Sequence, residues 1–163
     1  MVALTSEELM AWVDKTAFEW QKLLEAHPHL LAVPCDIREV TTVGELLQHI
    51  VAVQLRYAER LAGMAETAYD AIPYGTVAEL YATHLRSMAL LRKLLAESDC
   101  DWDEELELVT RSIGTLAASR KTVFVHALMH SIRHYAQLAT LARQHGVAPH
   151  WQMDYLLMGA RRL

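Results

Sequence analysis

The sequence predicts an all-α fold, a four-helix bundle, and three observations support this. Of 163 residues, 53% are hydrophobic, whereas only 6 are Gly and 4 are Pro, a composition that favours helices over a β domain with many tight turns. The same helix-start signal recurs three times ahead of segments with helical apolar periodicity. The marked helices have similar lengths and modest connections, as in a bundle. The length fits one domain over residues 1–163.

Each helix-start signal is a Thr followed three residues later by a Glu. In such a capping box the Thr hydroxyl accepts a hydrogen bond from an N–H of the first turn, and the Glu carboxylate accepts one from the backbone of the Thr. The three pairs are Thr5 with Glu8, Thr42 with Glu45, and Thr76 with Glu79. They predict helices that begin at residues 6, 43 and 77.

The helix ends follow from proline, glycine and turn signals. In chain order the predicted helices span 6–26, 43–67, 77–97 and 122–146. The first ends before Pro28, because the residue preceding a proline disfavours helix. The turn Ile72-Pro73-Tyr74-Gly75 separates the second helix from the third. Gly146 is a suitable C-cap for the fourth.

The segment between helices three and four, residues 99–121, is predicted to be irregular. Leu106-Glu107-Leu108-Val109 alternates apolar and polar side chains, which indicates at most a short hairpin turning at Gly114. The tail after Trp151 is expected to add one short helix. No repeat or linker divides the chain.

The net charge and the cysteines limit the kinds of binding partner and the cellular compartment that we expect. The net charge of −5 argues against a nucleic-acid partner, which would require a basic face. No apolar run reaches the length of a membrane span, and the opening MVALTSEELM lacks the features of a secretory signal. Cys35 and Cys100 form no C-x-x-C pair, so we expect neither a disulfide scaffold nor a zinc knuckle. A cytoplasmic location is the expectation.

Three histidines spaced by four residues mark the fourth predicted helix. His126, His130 and His134 project from nearly the same helix face, and imidazole is a common metal ligand. His126 and His134 lie about 12 Å apart along the axis, too far for both to bind one ion. The pair 130/134 lies on the apolar seam that faces the bundle interior, whereas His126 belongs to a more exposed stripe. We therefore favour His130 and His134.

A third ligand should come from a facing helix, and the sequence leaves two candidates open. His49 borders the apolar face of the second helix, and His84 lies on the apolar stripe of the third. A single histidine on an apolar face is more often a core residue with a hydrogen-bond partner than a ligand. The positions of His49 and His84 on their helices give only a weak preference between them as the third ligand.

Motifs for nucleophilic or nucleotide chemistry are absent from the sequence. It contains no G-x-S-x-G, no P-loop and no G-x-G-x-x-G, and the His pair encloses no Glu of an H-E-x-x-H motif. No catalytic residue is therefore assigned. Tyr135 and Gln137, which follow His134, are candidate pocket residues without a role.

Two segments resemble the DinB/YfiT-like superfamily of bacterial metal-binding four-helix bundles. The first is TVGELLQHIV from Thr42, similar to the family's capped helix start that leads to a His. The second is HALMHSIRHYAQ from His126, similar to H-x-x-x-H-x-x-x-H-R-G-Q, followed by Gly146 and a downstream Asp154. The chain departs from that pattern at Tyr135 and Ala136, where Arg-Gly is usual.

The resemblance implies a function as well as a fold. It makes His49, His130 and His134 the ligands of a divalent ion, nickel or zinc, with an open coordination position. It implies an enzyme with a small-molecule substrate, either an S-transferase that uses a low-molecular-weight thiol or a hydrolase, and it implies a homodimer. The alternatives are a non-catalytic metal-binding stress or interaction protein, and a plain helical bundle with core histidines.

Overall fold

Four α-helices carry most of the chain in the computed structural model, which describes residues 3–37, 39–110 and 113–161. The helices are α1 (Ser6–Ala26), α2 (Val43–Leu61), α3 (Val77–Ala96) and α4 (Arg120–Gln144). Strands β1 (Glu105–Thr110) and β2 (Gly114–Ser119) lie between α3 and α4. Short 3-10 helices span Pro28–Ala32, Tyr69–Ala71 and Tyr155–Met158. The last of these is the short helix expected in the tail.

The predicted starts of the first three helices are confirmed, and side chains cap each of them. Thr5 and Thr76 form complete capping boxes. Thr42 Oγ1 accepts from the N–H of Glu45, but the Glu45 carboxylate accepts from the N–H and hydroxyl of Thr41, at 2.6 and 2.9 Å. The α2 cap is thus a variant of the box that still satisfies the first turn.

The prediction that the second helix continues to residue 67 is wrong, because α2 ends at Leu61. Gly63 has a φ of 66°, and the Met64 N–H donates to the carbonyl of Glu59 at 2.9 Å, as in a Schellman motif. The Glu59 carboxylate then accepts from the backbone N–H and hydroxyl of Thr67, each at 2.7 Å. These bonds fold the following segment back along the helix end.

The four predicted helices are confirmed, but the segment between helices three and four forms the short hairpin that its alternation indicated, so the chain is not wholly α-helical. Strands β1 and β2 form a regular antiparallel hairpin in which Leu108 pairs with Leu116, and Thr110 with Gly114. Gly114 is therefore the first residue of β2 rather than the turn. Leu106 and Leu108 point to the same face, as alternation in a strand requires, and Leu108 is buried against the helices. Burial of this face stabilises the hairpin.

The helices pack so that α1 and α2 each lie against both α3 and α4. One apolar cluster surrounds Trp20 and includes Ile50 and Tyr135, and a second includes Val13 and Phe124. The seam between α2 and α4 is one of the main contacts and carries the polar residues considered next. In the described part of the chain, no helix is both long and apolar enough to cross a bilayer.

Candidate metal centre

Three histidine side chains meet between α2 and α4. His49 comes from α2, and His130 and His134 come from successive turns of α4. The Nε2 atom of His130 lies 3.1 Å from Nε2 of His49 and 3.2 Å from Nε2 of His134. The structure thus brings together the three histidines that the resemblance implies as ligands.

Helix periodicity explains why these side chains converge. The seam of α4 predicted from the sequence is buried or half-buried at each position: Val123, Ala127, His130, His134, Gln137 and Leu141. His130 and His134 are four residues apart and therefore lie one above the other on this seam. His49 is half-buried and has Leu46 and Ile50, both core residues, beside it on α2. The packing of α2 on α4 brings His49 to the pair.

The spacing of the three nitrogens fits a metal ion. Ligand atoms about 2.1 Å from a tetrahedral ion lie about 3.4 Å from one another. The 3.1 and 3.2 Å separations at His130 are close to that value, and one ligand atom from each residue lies within 4.8 Å of the others. Among the histidine, cysteine and acidic side chains of the described residues, His49, His130 and His134 form the group that could hold an ion.

The protonation of the site favours metal binding. Burial, together with the neighbouring His134 and His49, lowers the pKa of His130 to about 2, so that its imidazole is neutral at physiological pH. Nδ1 of His134 lies 2.6 Å from Oε1 of Gln137, an oxygen that can only accept. Nδ1 therefore carries the hydrogen, and Nε2 of His134 presents a lone pair to the site.

One buried atom at the site lacks a hydrogen-bond partner. Nδ1 of His130 is buried, and none of the described residues bonds it. An unpartnered buried polar atom costs roughly 1–3 kcal/mol, which a histidine with a purely structural role would have to offset elsewhere. His130 therefore lacks at Nδ1 the hydrogen-bond partner that Gln137 provides to Nδ1 of His134.

The structure separates His84 and His126 from the cluster. His84 is a core histidine: its Nδ1 lies 2.9 Å from Oε1 of Gln54, and its Nε2 lies 3.4 Å from a carboxylate oxygen of Asp14. His126 is exposed, with its ring centroid 5.4 Å from that of His130. The choice between His49 and His84, which the spacing left open, is thereby resolved in favour of His49 as the cluster member.

Two further residues touch the cluster, and sequence reasoning gave neither a role. Gln137 accepts a hydrogen bond from His134 and so orients its ring. The sequence could have indicated Gln137 by its position on the same apolar seam, three residues after His134. Arg133 is exposed, yet its Nη2 lies 3.1 Å from Nε2 of His134. Tyr135, the other candidate pocket residue, is instead buried in the core, where its ring stacks on Trp20 at 6.1 Å.

Comparison with known proteins agrees with this architecture. The model of a family described as the DinB family matches residues 2–160 of the chain. The comparison with curated proteins finds no match. The family match thus spans all four helices, the hairpin and the three histidines.

Proposed function

Because this chain belongs to the DinB family, we propose that it is a metal-dependent enzyme whose divalent ion is held by His49, His130 and His134. The observation that carries the proposal is the convergence of three imidazole nitrogens from two helices. Three neutral histidines leave a coordination position open, as in catalytic rather than closed structural sites. Nickel and zinc both suit imidazole ligands.

The ion would lower the pKa of a thiol or a water molecule at the open position. The chain's own residues favour the thiol. Among the described residues, no carboxylate belongs to the group that could hold the ion, so no carboxylate base for water adjoins it. A low-molecular-weight thiol has a pKa of about 8.5, so it would lose its proton to solvent once the ion lowers that pKa, without such a base. We therefore place thiol S-transfer ahead of hydrolysis as the reaction class.

The histidine cluster approaches the protein surface at His49. His49 is half-buried, and the exposed residues His126, Met129 and Arg133 follow the neighbouring stripe of α4. Tyr57 of α2 is half-buried, with its ring 5.7 Å from that of His126. We propose that a ligand approaches the ion from this side of α2 and α4.

The metal content of untagged protein tests the proposal. We expect about one divalent ion per chain in the wild type and a loss of that ion in both His49→Ala and His130→Ala. His126→Ala is the matched control, because it removes an imidazole of the same helix that is not one of the three proposed ligands. Circular dichroism of each variant establishes that the helices persist.

The wild-type result separates the competing functions. A wild-type protein that binds neither zinc nor nickel after incubation would overturn the proposal and leave a helical bundle with core histidines. An ion that is bound while no thiol transfer or hydrolysis is detected across a substrate screen would favour the non-catalytic metal-binding protein.

A further inference from the structure

Arg133 places a guanidinium group directly beside the three histidines. It lies on α4 next to the ligand His134, and its Nη2 is 3.1 Å from Nε2 of that histidine. Its charge also contributes to lowering the pKa of the neighbouring His130. The side chain is otherwise exposed, so it is able to change its position without disturbing the core.

Arg133 differs from most described arginines in having no acidic partner. The arginine–carboxylate pairs are Arg56 and Arg60 with Glu66, Arg86 with Glu59, Arg92 with Asp14, and Arg120 with Glu104. In residues 3–37, 39–110 and 113–161, no carboxylate lies within ion-pair distance of Arg133. In a chain with a net charge of −5, this site therefore has an uncompensated cation.

The positive charge of Arg133 disfavours a divalent ion on the three histidines unless an anion is bound as well. Arg133 and the ion would compete for the lone pair on Nε2 of His134, and their like charges repel one another. A ligand that carries a negative charge removes the repulsion, because it pairs with both cations. The planar fork of guanidinium donors matches the two oxygens of a carboxylate.

We propose that Arg133 is a substrate-binding residue that pairs with a carboxylate of the molecule bound at the metal centre. This inference rests on the proposed function, since it requires the ion on the three histidines. It assigns a substrate class, a small molecule that bears a carboxylate close to its metal-binding group. Arg133 then determines specificity, and the histidines hold the ion.

The experiment uses two small thiols on the cobalt-loaded protein under anaerobic conditions. Mercaptoacetate carries a thiol and a carboxylate, and 2-mercaptoacetamide is its neutral counterpart. Binding of each thiol is titrated through the sulfur-to-cobalt charge-transfer band, which does not depend on turnover. The ratio of the two affinities is compared between the wild type and Arg133→Gln, so that the different acidities of the two thiols cancel.

We expect the preference for mercaptoacetate to fall about tenfold in Arg133→Gln, as the loss of one charge-assisted pair predicts. Cobalt content should stay at the wild-type level. Arg133→Lys should keep part of the preference, because it keeps the charge but not the fork. The matched control is Arg143→Gln, an exposed arginine of the same helix whose hydrogen bond is to Thr140. It should leave the ratio unchanged.

Two results would overturn the inference, and they are distinguishable. If cobalt binds but the ratio is the same in the wild type and in Arg133→Gln, Arg133 does not recognise the carboxylate and the metal centre itself still stands. If the wild-type protein binds no cobalt, zinc or nickel, the proposed function and this inference both fall.

Discussion

The contact between His134 and Gln137 sets the orientation of a proposed metal ligand. The Gln137 oxygen lies 2.6 Å from Nδ1 of His134 and holds the hydrogen there. Partners of this kind typically change metal affinity 10–100-fold when they are removed. We therefore predict that Gln137→Leu weakens zinc affinity by about 10-fold or more, as measured by competition with a chromophoric chelator.

Two variants accompany this measurement. Gln137→Glu keeps an accepting oxygen and should retain most of the affinity, whereas Gln144→Leu changes an exposed residue of the same helix and should have no effect. A Gln137→Leu protein with wild-type affinity would show that packing alone orients His134.

Sequence reasoning identified the two α4 histidines of the cluster but not their surroundings. The spacing of four residues and the apolar seam indicated His130 and His134, because both depend on helix periodicity alone. The bond from Gln137 and the position of Arg133 depend on side-chain rotamers. A helical pattern does not specify these, so neither residue had a role before the structure was known.

The hairpin between α3 and α4 is stabilised by one of its two faces. Leu108 is 7% exposed and belongs to the cluster that contains Phe124, whereas the next residue, Val109, is 70% exposed. We predict that Leu108→Ala lowers the free energy of unfolding by about 2–3 kcal/mol, as buried leucines generally do. The exposed neighbour provides the control: Val109→Ala should cost less than about 1 kcal/mol.

Urea unfolding followed by circular dichroism measures both changes. Equal destabilisation by the two variants would mean that the hairpin does not pack through Leu108. Zinc affinity should stay constant in both, since the cluster of histidines lies on α2 and α4.

Helix starts could be predicted from the sequence because their signal is local. A Thr and a Glu three residues apart satisfy the first turn whatever lies around them, as at Thr5 and Thr76. The end of α2 could not be predicted, since it depends on Gly63 adopting a positive φ and on Glu59 bonding Thr67. The hairpin is likewise fixed by contact with helices that are distant in the sequence.

At the scale of the whole molecule, a buried polar chain joins all four helices. Nε2 of Gln54 in α2 donates to Oγ of Ser131 in α4 at 2.8 Å, and Oε1 of Gln54 lies 2.9 Å from Nδ1 of His84 in α3. The other nitrogen of His84 faces Asp14 of α1 at 3.4 Å. The sequence places each residue on its helix, but only the arrangement of the helices brings them into one chain.

This chain of contacts predicts that replacing Gln54 destabilises the fold. Gln54 is fully buried, so Gln54→Leu leaves Nδ1 of His84 without its partner in the core. Leaving a buried group unsatisfied costs about 1–3 kcal/mol, which is the predicted loss in the free energy of unfolding. Urea denaturation of the metal-free protein measures it without a contribution from bound ions.

A double-mutant cycle with His84→Leu distinguishes a lost bond from lost packing. Removing both partners leaves no unsatisfied group, so the double variant should be less destabilised than the sum of the two single variants, by about 1 kcal/mol or more. Strict additivity would contradict the bond. Metal content should be unchanged throughout, because His84 belongs to this chain of contacts and not to the histidine cluster between α2 and α4.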